Sequence, residues 1–307
     1  MKKILTLVVL SFTLFATQPL LTTTMHPFRL AFYSFYPQNS EIEEDKKWHT
    51  QINLSETNDY DEEKAYLIDY EITALTLSLS KKINSNAQFR IILPAYYING
   101  GFLDSFLNWF HRATDTLPSA HNRYGNNKVH FFFGSIHKTS SYATLGNVQL
   151  EYTHRLPWDV IGAKQALHFG VKLPTATKNS GFGSGKTDVM VGWSACKALA
   201  DSSILLNMQA AKIGRYTQGN IAKSKEYLYS LYAQWQKSVS FGNFLLGYRF
   251  VSSAYDSPYS SIDSCSNIIT LGLGTHWFGK KTTIFLDENL APFRGAPDIT
   301  IGINISL

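Results

Sequence analysis

The chain has 307 residues, of which 44% are hydrophobic, 14% aromatic and only 17% charged, a composition that disfavours an ordinary soluble protein. The formal net charge of +5 is modest for this length, so it does not indicate a nucleic-acid partner; it suits an anionic lipid surface or anionic solutes. Two cysteines, Cys196 and Cys265, are too few for a disulfide scaffold, and the sequence leaves their pairing open.

The chain begins with the pattern of a secretory signal peptide. Two lysines precede an uncharged apolar run over residues 4–16. This run is shorter than the ~20 residues that a transmembrane helix needs, although an extension through Leu21 would make an uncleaved anchor conceivable. No clean small-x-small cleavage site is visible between Ala16 and Thr24. We therefore expect a signal peptide over residues 1–24 with an uncertain cleavage site.

An aromatic segment follows the expected leader. Residues 25–46 contain PFRLAFYSFYP and precede the first predicted strand. If the chain forms a barrel, this segment could sit inside it as a plug of the lumen.

The remainder, residues 47–307, alternates between apolar and polar side chains with the period of a β-strand. The last ten residues, DITIGINISL, show the pattern clearly, because four isoleucines and Leu307 share one face. After the leader no run of ~20 apolar residues occurs, which excludes a helical membrane bundle. The predicted strands are 47–57, 66–80, 88–98, 146–156, 165–174, 187–198, 203–213, 225–237, 243–253, 267–278, 281–289 and 299–307.

Strand length and loop length favour a membrane barrel over a soluble sandwich. The predicted strands have roughly 10 to 13 residues, whereas strands of globular domains cluster near 5 or 6 and a tilted membrane strand needs ~9 to 11. Short turns such as LADSS and VSFGN alternate with long polar loops such as TATKNSGFGSGKT and SSAYDSPYSSIDSCS. We therefore predict an all-β fold, a transmembrane antiparallel up-and-down barrel of about 12 strands whose short turns face the periplasm.

One long outer loop, from about residue 99 to 142, contains the only amphipathic helical pattern. The stretch GGFLDSFLNWFHRATDTLP places its apolar residues at helical spacing, and the aromatic piece HFFFGSIH follows in the same loop. The helix could pack its apolar face on the rim, lie on the outer leaflet, or fold into the barrel mouth as a constriction. For the last alternative the candidate residues are Asp104, Asn108, His111 and Arg112.

Several segments resemble a known family. SFYPQ, LIDYEITALTLSLS, GGFLDSFLNWFH, LGNVQLEYTHRL and KLPTATKNSGFGSGKTDVMVG are similar to those of an uncharacterised group of proteobacterial outer-membrane barrels, domain of unknown function 3187. The last two are also distantly similar to barrels of aromatic-degradation pathways that are presumed to transport solutes. The resemblance runs from about Pro27 to the C-terminus and implies the fold and the outer-membrane location, but no substrate.

The inward face of the predicted strands carries charges of both signs. Charged groups at membrane depth are tolerated only if they are paired or solvated, so they either line a solute path or form internal salt bridges. The lumen-lining candidates are Glu151, Arg155, His168, Lys172, Asp188, Arg249 and Asp287.

Two motifs suggest chemistry but lack the necessary context. SGFGSGKTD lacks the helix that follows a phosphate-binding loop, so we interpret it as a flexible outer loop. His137 has Ser140 and Ser141 close in sequence, as a lipid esterase would need, but sequence spacing without geometry is weak evidence for a catalytic site. No cluster has metal-ligand spacing. We expect no catalytic residues, no cofactor and no metal.

The sequence thus predicts a passive channel or uptake protein for small solutes in the bacterial outer membrane. A structural or surface-interaction barrel with a closed lumen is the alternative, followed by a membrane-embedded lipid esterase. The expected partners are outer-membrane lipids and lipopolysaccharide, the barrel-assembly machinery during insertion and an unknown small solute.

Overall fold

The computed structural model describes residues 18–103, 105, 109, 125–290 and 295–307. In these ranges the chain forms a closed antiparallel β-barrel of twelve long strands, which confirms the fold class predicted from the sequence. The long strands are β1 (Trp48–Glu63), β2 (Tyr66–Asn84), β3 (Ala87–Asn99), β7 (Gln149–Arg155), β8 (Lys164–Lys172), β9 (Asp188–Ala198), β10 (Ser202–Lys212), β13 (Tyr227–Val239), β14 (Gly242–Val251), β16 (Ser266–Trp277), β17 (Lys280–Asn289) and β18 (Ile299–Ser306).

The barrel closes between its first and last strands. β1 pairs with β18 in a register that runs from Gln51 opposite Ser306 to Asn58 opposite Ile299. Each long strand is antiparallel to the next, so the wall has hydrogen-bonded neighbours on both sides throughout. Among the described residues, no helix is long and apolar enough to span a membrane.

Side chains alternate across the wall as the sequence predicts. On β10, Leu205, Asn207 and Gln209 are buried inside, whereas Leu206 and Met208 are 40% and 54% exposed on the outside. The same alternation on the other strands gives the barrel an apolar outer face and a predominantly polar inner face.

Six short strands lie at the end where the connections are long, which we call the long-loop end; the first three extend the barrel sheet, and the last three form a separate three-stranded sheet. They are β4 (His130–Phe133), β5 (Ile136–Lys138), β6 (Tyr142–Leu145), β11 (Thr217–Gln218), β12 (Ala222–Ser224) and β15 (Tyr255–Asp256). HFFFGSIH forms the β4–β5 hairpin, which pairs with the outer part of β2 and does not span the barrel. The strand predicted over residues 146–156 is β7 in the structure. A separate short strand, β6, precedes it and pairs with β3. At the opposite, short-turn end, turns of a few residues connect the strands.

Most of the predicted loop helix lies outside the described residues, as do the constriction candidates Asp104, Asn108, His111 and Arg112. Of that segment, Leu103, Ser105 and Trp109 have helical backbone. Leu103 packs against Ile299 on the outer face of the wall, and its N–H donates to Glu71 Oε1 (2.6 Å). The described start of the segment is therefore attached to the outside of the barrel.

Candidate functional site

The barrel interior is occupied by the chain itself. Residues 18–40, here called the interior segment, are almost entirely buried and pass along the lumen. The segment starts at the short-turn end, where Gln51 Nε2 donates to the Pro19 carbonyl (3.1 Å). It reaches the long-loop end at α1 (Pro27–Leu30) and returns to the short-turn end, where Lys164 pairs with Glu41 (2.6 Å). Both ends of the segment thus lie at the same mouth.

The interior segment reverses direction at α1, and the residues at the start of this helix explain why it forms there. Pro27 occupies the first turn of α1, where its fixed φ favours a helix and its missing N–H costs nothing. His26 caps this helix, because its Nδ1 accepts a hydrogen bond from the Phe28 N–H (3.3 Å). On the other side of the His26 ring, Nε2 lies 3.5 Å from Asp59 Oδ1.

Glu151 connects the returning half of the segment to the wall. Its Oε1 accepts a hydrogen bond from the Tyr33 hydroxyl (2.7 Å), and its Oε2 forms an ion pair with Arg90 (2.5 Å). Arg90 also donates to the Pro37 carbonyl (3.1 Å). Sequence reasoning missed Arg90, although alternation along β3 places it on the inner face with Gln88.

Lys172 and Asp188 form a fully buried ion pair. Lys172 Nζ lies 3.0 Å from Asp188 Oδ2, and neither side chain is exposed. The same ammonium donates to Ser184 Oγ (3.0 Å) and to the Ala31 carbonyl of the interior segment (3.1 Å). Two side chains predicted to face inward are therefore paired with each other and with the segment.

Arg249 and Asp287 repeat this arrangement on the other side of the lumen. Their charged groups are 3.7 Å apart, and Arg249 also donates to the Thr22 carbonyl (3.1 Å). Asp287 accepts hydrogen bonds from the hydroxyls of Thr22 (3.1 Å) and Thr270 (2.5 Å). Thr22, which the expected leader includes, thus lies inside the barrel and contacts both members of this pair.

The other two lumen-lining candidates differ from each other. His168 is fully buried between Thr153 and Ser194, whose hydroxyls lie 2.9 and 2.7 Å from its ring nitrogens. Arg155 is 35% exposed near the short-turn end, 4.0 Å from Asp159. Among the described residues, Arg155 therefore takes part in no buried ion pair.

The lumen changes character at the long-loop end, where it is filled by an aromatic core. Phe28 packs with its ring centroid 4.8 Å from that of Phe133 and 5.6 Å from that of Tyr66. Phe32 packs against Tyr255 at 5.3 Å. The interior segment and the long loops thus close this end together.

The loop carrying SGFGSGKTD takes part in this closure, which corrects its interpretation as a flexible outer loop. Phe182 is fully buried, with ring centroids 5.3 Å from Tyr96 and 6.2 Å from Phe131. Ser184 is also fully buried, and its N–H donates to the Ala31 carbonyl (3.2 Å). Burial of the single aromatic side chain draws the glycine-rich loop into the mouth.

Arg29 joins the interior segment to the long loop between β14 and β16. Its guanidinium donates to the carbonyls of Ser252 and Ser264, which stand near the two ends of that loop. Burial lowers the pKa of Arg29 to about 10, which leaves the side chain positively charged at neutral pH.

A cavity of about 40 Å³ lies at the short-turn end beside the start of the interior segment. We call it the short-turn cavity. It is bounded by Gln18 and Leu20 and by inward side chains of β1, β13, β14, β16, β17 and β18. By volume it accommodates about three water molecules.

The remaining motifs form no catalytic or metal arrangement among the described residues. The His137 ring packs against Phe132 (5.3 Å between centroids), and no hydrogen bond joins it to Ser140 or Ser141 in this part of the chain. Within the described ranges, no group of three or more His, Cys, Asp or Glu residues could hold a metal ion. Cys196 and Cys265 do not form a disulfide.

Comparison with known proteins gives a family and a fold. The model of a family described as "Protein of unknown function (DUF3187)" matches residues 17–306. The COG4313 outer membrane channel from Pseudomonas putida F1 is similar in structure, with a TM-score of 0.59 and 10% identity over 89% of this chain and 98% of that chain. LpxR from Salmonella typhimurium gives a TM-score of 0.41, with 10% identity over 84% of this chain and 99% of that chain. No curated protein matches the chain significantly.

Proposed function

Because the chain belongs to the DUF3187 family and folds as an outer-membrane-type β-barrel, we propose that it is a channel for small solutes, closed by its own interior segment. In this proposal residues 18–40 are a plug, and solutes pass when it moves away from the wall. The short turns face the periplasm and the long loops face the outside, as in outer-membrane barrels.

The observation that carries the proposal is the content of the lumen. The inner face of the wall is largely polar, and one chain segment that enters and leaves at the same mouth occupies the space it encloses. Barrels with more than about eight strands are too wide for wall side chains alone to fill them. Without the segment, the lumen between the short-turn end and the aromatic core would be lined by hydroxyl, amide and charged side chains.

Locking the plug tests this proposal. The hydroxyl oxygens of Thr24 on the segment and Ser266 on β16 lie 3.4 Å apart, which suits a disulfide between T24C and S266C. In a C196S/C265S background we expect solute flux into proteoliposomes to be absent in the oxidised double variant and to return on reduction. The matched control joins T57C to T300C, whose hydroxyls lie 2.9 Å apart on adjacent wall strands. Its flux should not depend on oxidation.

The aromatic core at the long-loop end favours a second candidate, a structural barrel whose lumen never opens. A segment that shares Phe28 and Phe32 with the loops is held by apolar burial as well as by polar contacts. The same experiment separates the two candidates. A structural barrel gives no flux in either the oxidised or the reduced form, and this result would end the channel proposal.

The proposed location implies further partners. Outer-membrane lipids and lipopolysaccharide would contact the apolar outer face, and the assembly machinery would insert the barrel. Side chains such as Leu273 and Ile284, 53% and 58% exposed on the outer face, support lipid contact.

A further inference from the structure

We propose that a cluster of cationic side chains at the long-loop end binds the phosphate groups of an anionic lipid in the surrounding leaflet. The cluster, here called the basic cluster, consists of Lys178, Lys186, Lys212 and Arg215, all of them exposed. In the proposed orientation of the barrel this leaflet is the outer one, where lipopolysaccharide carries phosphate. The inference therefore rests on the proposed location and orientation, but not on solute transport.

Contacts between two neighbouring loops hold the members of the basic cluster together. A Cβ at Gly214 would lie 2.3 Å from the Lys186 Cβ, so the loop between β8 and β9 touches the segment that follows β10 at this glycine. A Cβ at Gly185 would likewise lie 2.5 Å from the Lys178 Cε. The Lys178 side chain therefore reaches the residue before Lys186, and Arg215 directly follows the contact at Gly214.

The positive charge of the basic cluster is only partly compensated. Lys212 forms an exposed ion pair with Glu226 (3.5 Å). Among the described residues, Lys178, Lys186 and Arg215 form no ion pair. A phosphate between such cations would relieve their mutual repulsion and accept charge-assisted hydrogen bonds, and a guanidinium group can donate two of these in parallel.

Asp188 contacts the same segment from inside the barrel. Its Oδ1 accepts a hydrogen bond from the Gly214 N–H (2.8 Å), and its Oδ2 pairs with Lys172 (3.0 Å). Because Asp188 is 1% exposed and already has a cation, it leaves the exposed side of the basic cluster positive.

The basic cluster borders an apolar part of the outer face. Lys212 is the last residue of β10 and is directly opposite Val189 on β9 and Tyr227 on β13. Towards the middle of the wall, Val191 and Tyr229 follow on the same two strands, and these four side chains are between 44% and 56% exposed. An amphiphile can therefore place its phosphate on the cations and its acyl chains on these side chains, whereas a free phosphate gains only the first contact.

The basic cluster explains the lysine of the SGFGSGKTD motif without a nucleotide site. Lys186 is that lysine, and β9 begins two residues later at Asp188. Because a strand follows, no helix N-terminus is present there to hold the phosphates of a nucleotide. An exposed ammonium group needs no such helix to pair with a lipid phosphate.

Native mass spectrometry of the purified barrel in neutral detergent tests the proposal, with bisphosphorylated lipid A as the probe. We expect lipid A to bind at least tenfold more tightly than phosphatidylcholine, whose headgroup has no net charge. Inorganic phosphate in tenfold excess should not displace the bound lipid A. Displacement would show that the site takes phosphate alone and would overturn the assignment to a lipid.

The decisive variant is Lys186→Gln/Arg215→Gln, which removes two charges and should weaken lipid A binding at least tenfold. The matched control is Lys81→Gln/Lys280→Gln, which removes two charges from exposed lysines at the short-turn end and should bind lipid A like the wild type. Circular dichroism checks that both double variants are folded. Unchanged binding in the first variant, or an equal loss in the control, would overturn the proposal.

Glu226→Gln should have the opposite effect. It removes the carboxylate that pairs with Lys212 and should tighten lipid A binding by about two- to fivefold. Weaker binding in this variant, or equal binding of lipid A and phosphatidylcholine to the wild type, would also contradict the proposal. Since the measurement involves no solute flux, this inference and the channel proposal can fail separately.

Discussion

At the scale of single residues, a missing side chain makes room for the interior segment. Gly170 is opposite Glu151 in the register of β7 and β8, and a Cβ at Gly170 would lie 2.2 Å from the Tyr33 hydroxyl oxygen. The hydrogen bond between Tyr33 and Glu151 therefore requires glycine at this position.

We expect Gly170→Ala to displace the Tyr33 ring and to destabilise the barrel by about 1–3 kcal/mol, the usual cost of overpacking. Urea unfolding in detergent measures the change. Gly274→Ala is the control, because the nearest atom to a Cβ there is 3.3 Å away. Equal unfolding midpoints for the two variants would contradict the role of Gly170.

The buried Lys172–Asp188 pair makes a second prediction at this scale. Lys172→Met leaves Asp188 without its cation in a fully buried place, and the expected loss is about 3–5 kcal/mol. Changing Asp188 to leucine as well should recover part of this loss, because an apolar pair needs no compensation. In the control Lys212→Met the exposed pair with Glu226 is lost, at a cost of about 0–1 kcal/mol.

At the scale of elements, α1 and the loop between β14 and β16 are joined through Arg29. Arg29→Ala removes two charge-assisted hydrogen bonds and should weaken this attachment by about 2 kcal/mol or more. The alkylation rate of Cys265, next to Ser264, should rise. Cys196 is buried in the wall and serves as the internal reference. Arg215→Ala, at an exposed arginine, should leave both rates unchanged.

The wall strands could be predicted from the sequence because each inward or outward choice is local. Period-two alternation assigned Lys172, Asp188 and Arg249 to the inner face without knowledge of their partners. What those side chains contact could not be predicted, because Ala31 and Thr22 are more than 100 residues away in the chain. Phe182 gave no signal, since one aromatic residue among glycines and serines has no periodicity.

At the scale of the whole molecule, the interior segment starts earlier than the expected plug. The sequence pattern assigns the apolar residues Leu20 and Leu21 to the end of the leader, because the apolar run of a leader and a segment buried inside a protein are both rich in apolar side chains. In the structure both side chains are buried inside the barrel, together with the three threonines that follow.

We therefore predict that any leader is removed upstream of Leu20, so that Leu20, Leu21 and Thr22 remain in the mature chain. Intact-mass measurement on protein purified from membranes checks this. A mature chain that begins at Met25 would lack the Thr22 contacts with Asp287 and Arg249 and would contradict the prediction.

The interior segment enters and leaves the barrel at the same mouth. It is therefore a hairpin inserted into the lumen and does not pass through the barrel from one end to the other. In the proposed open state it would leave towards the short turns while all twelve wall strands stay paired, including β1 with β18. Withdrawal would break the contacts of the segment with the wall and with the long loops, and the segment could return without threading a chain end through the barrel. Under this proposal, opening and closing would leave the hydrogen bonds of the wall intact.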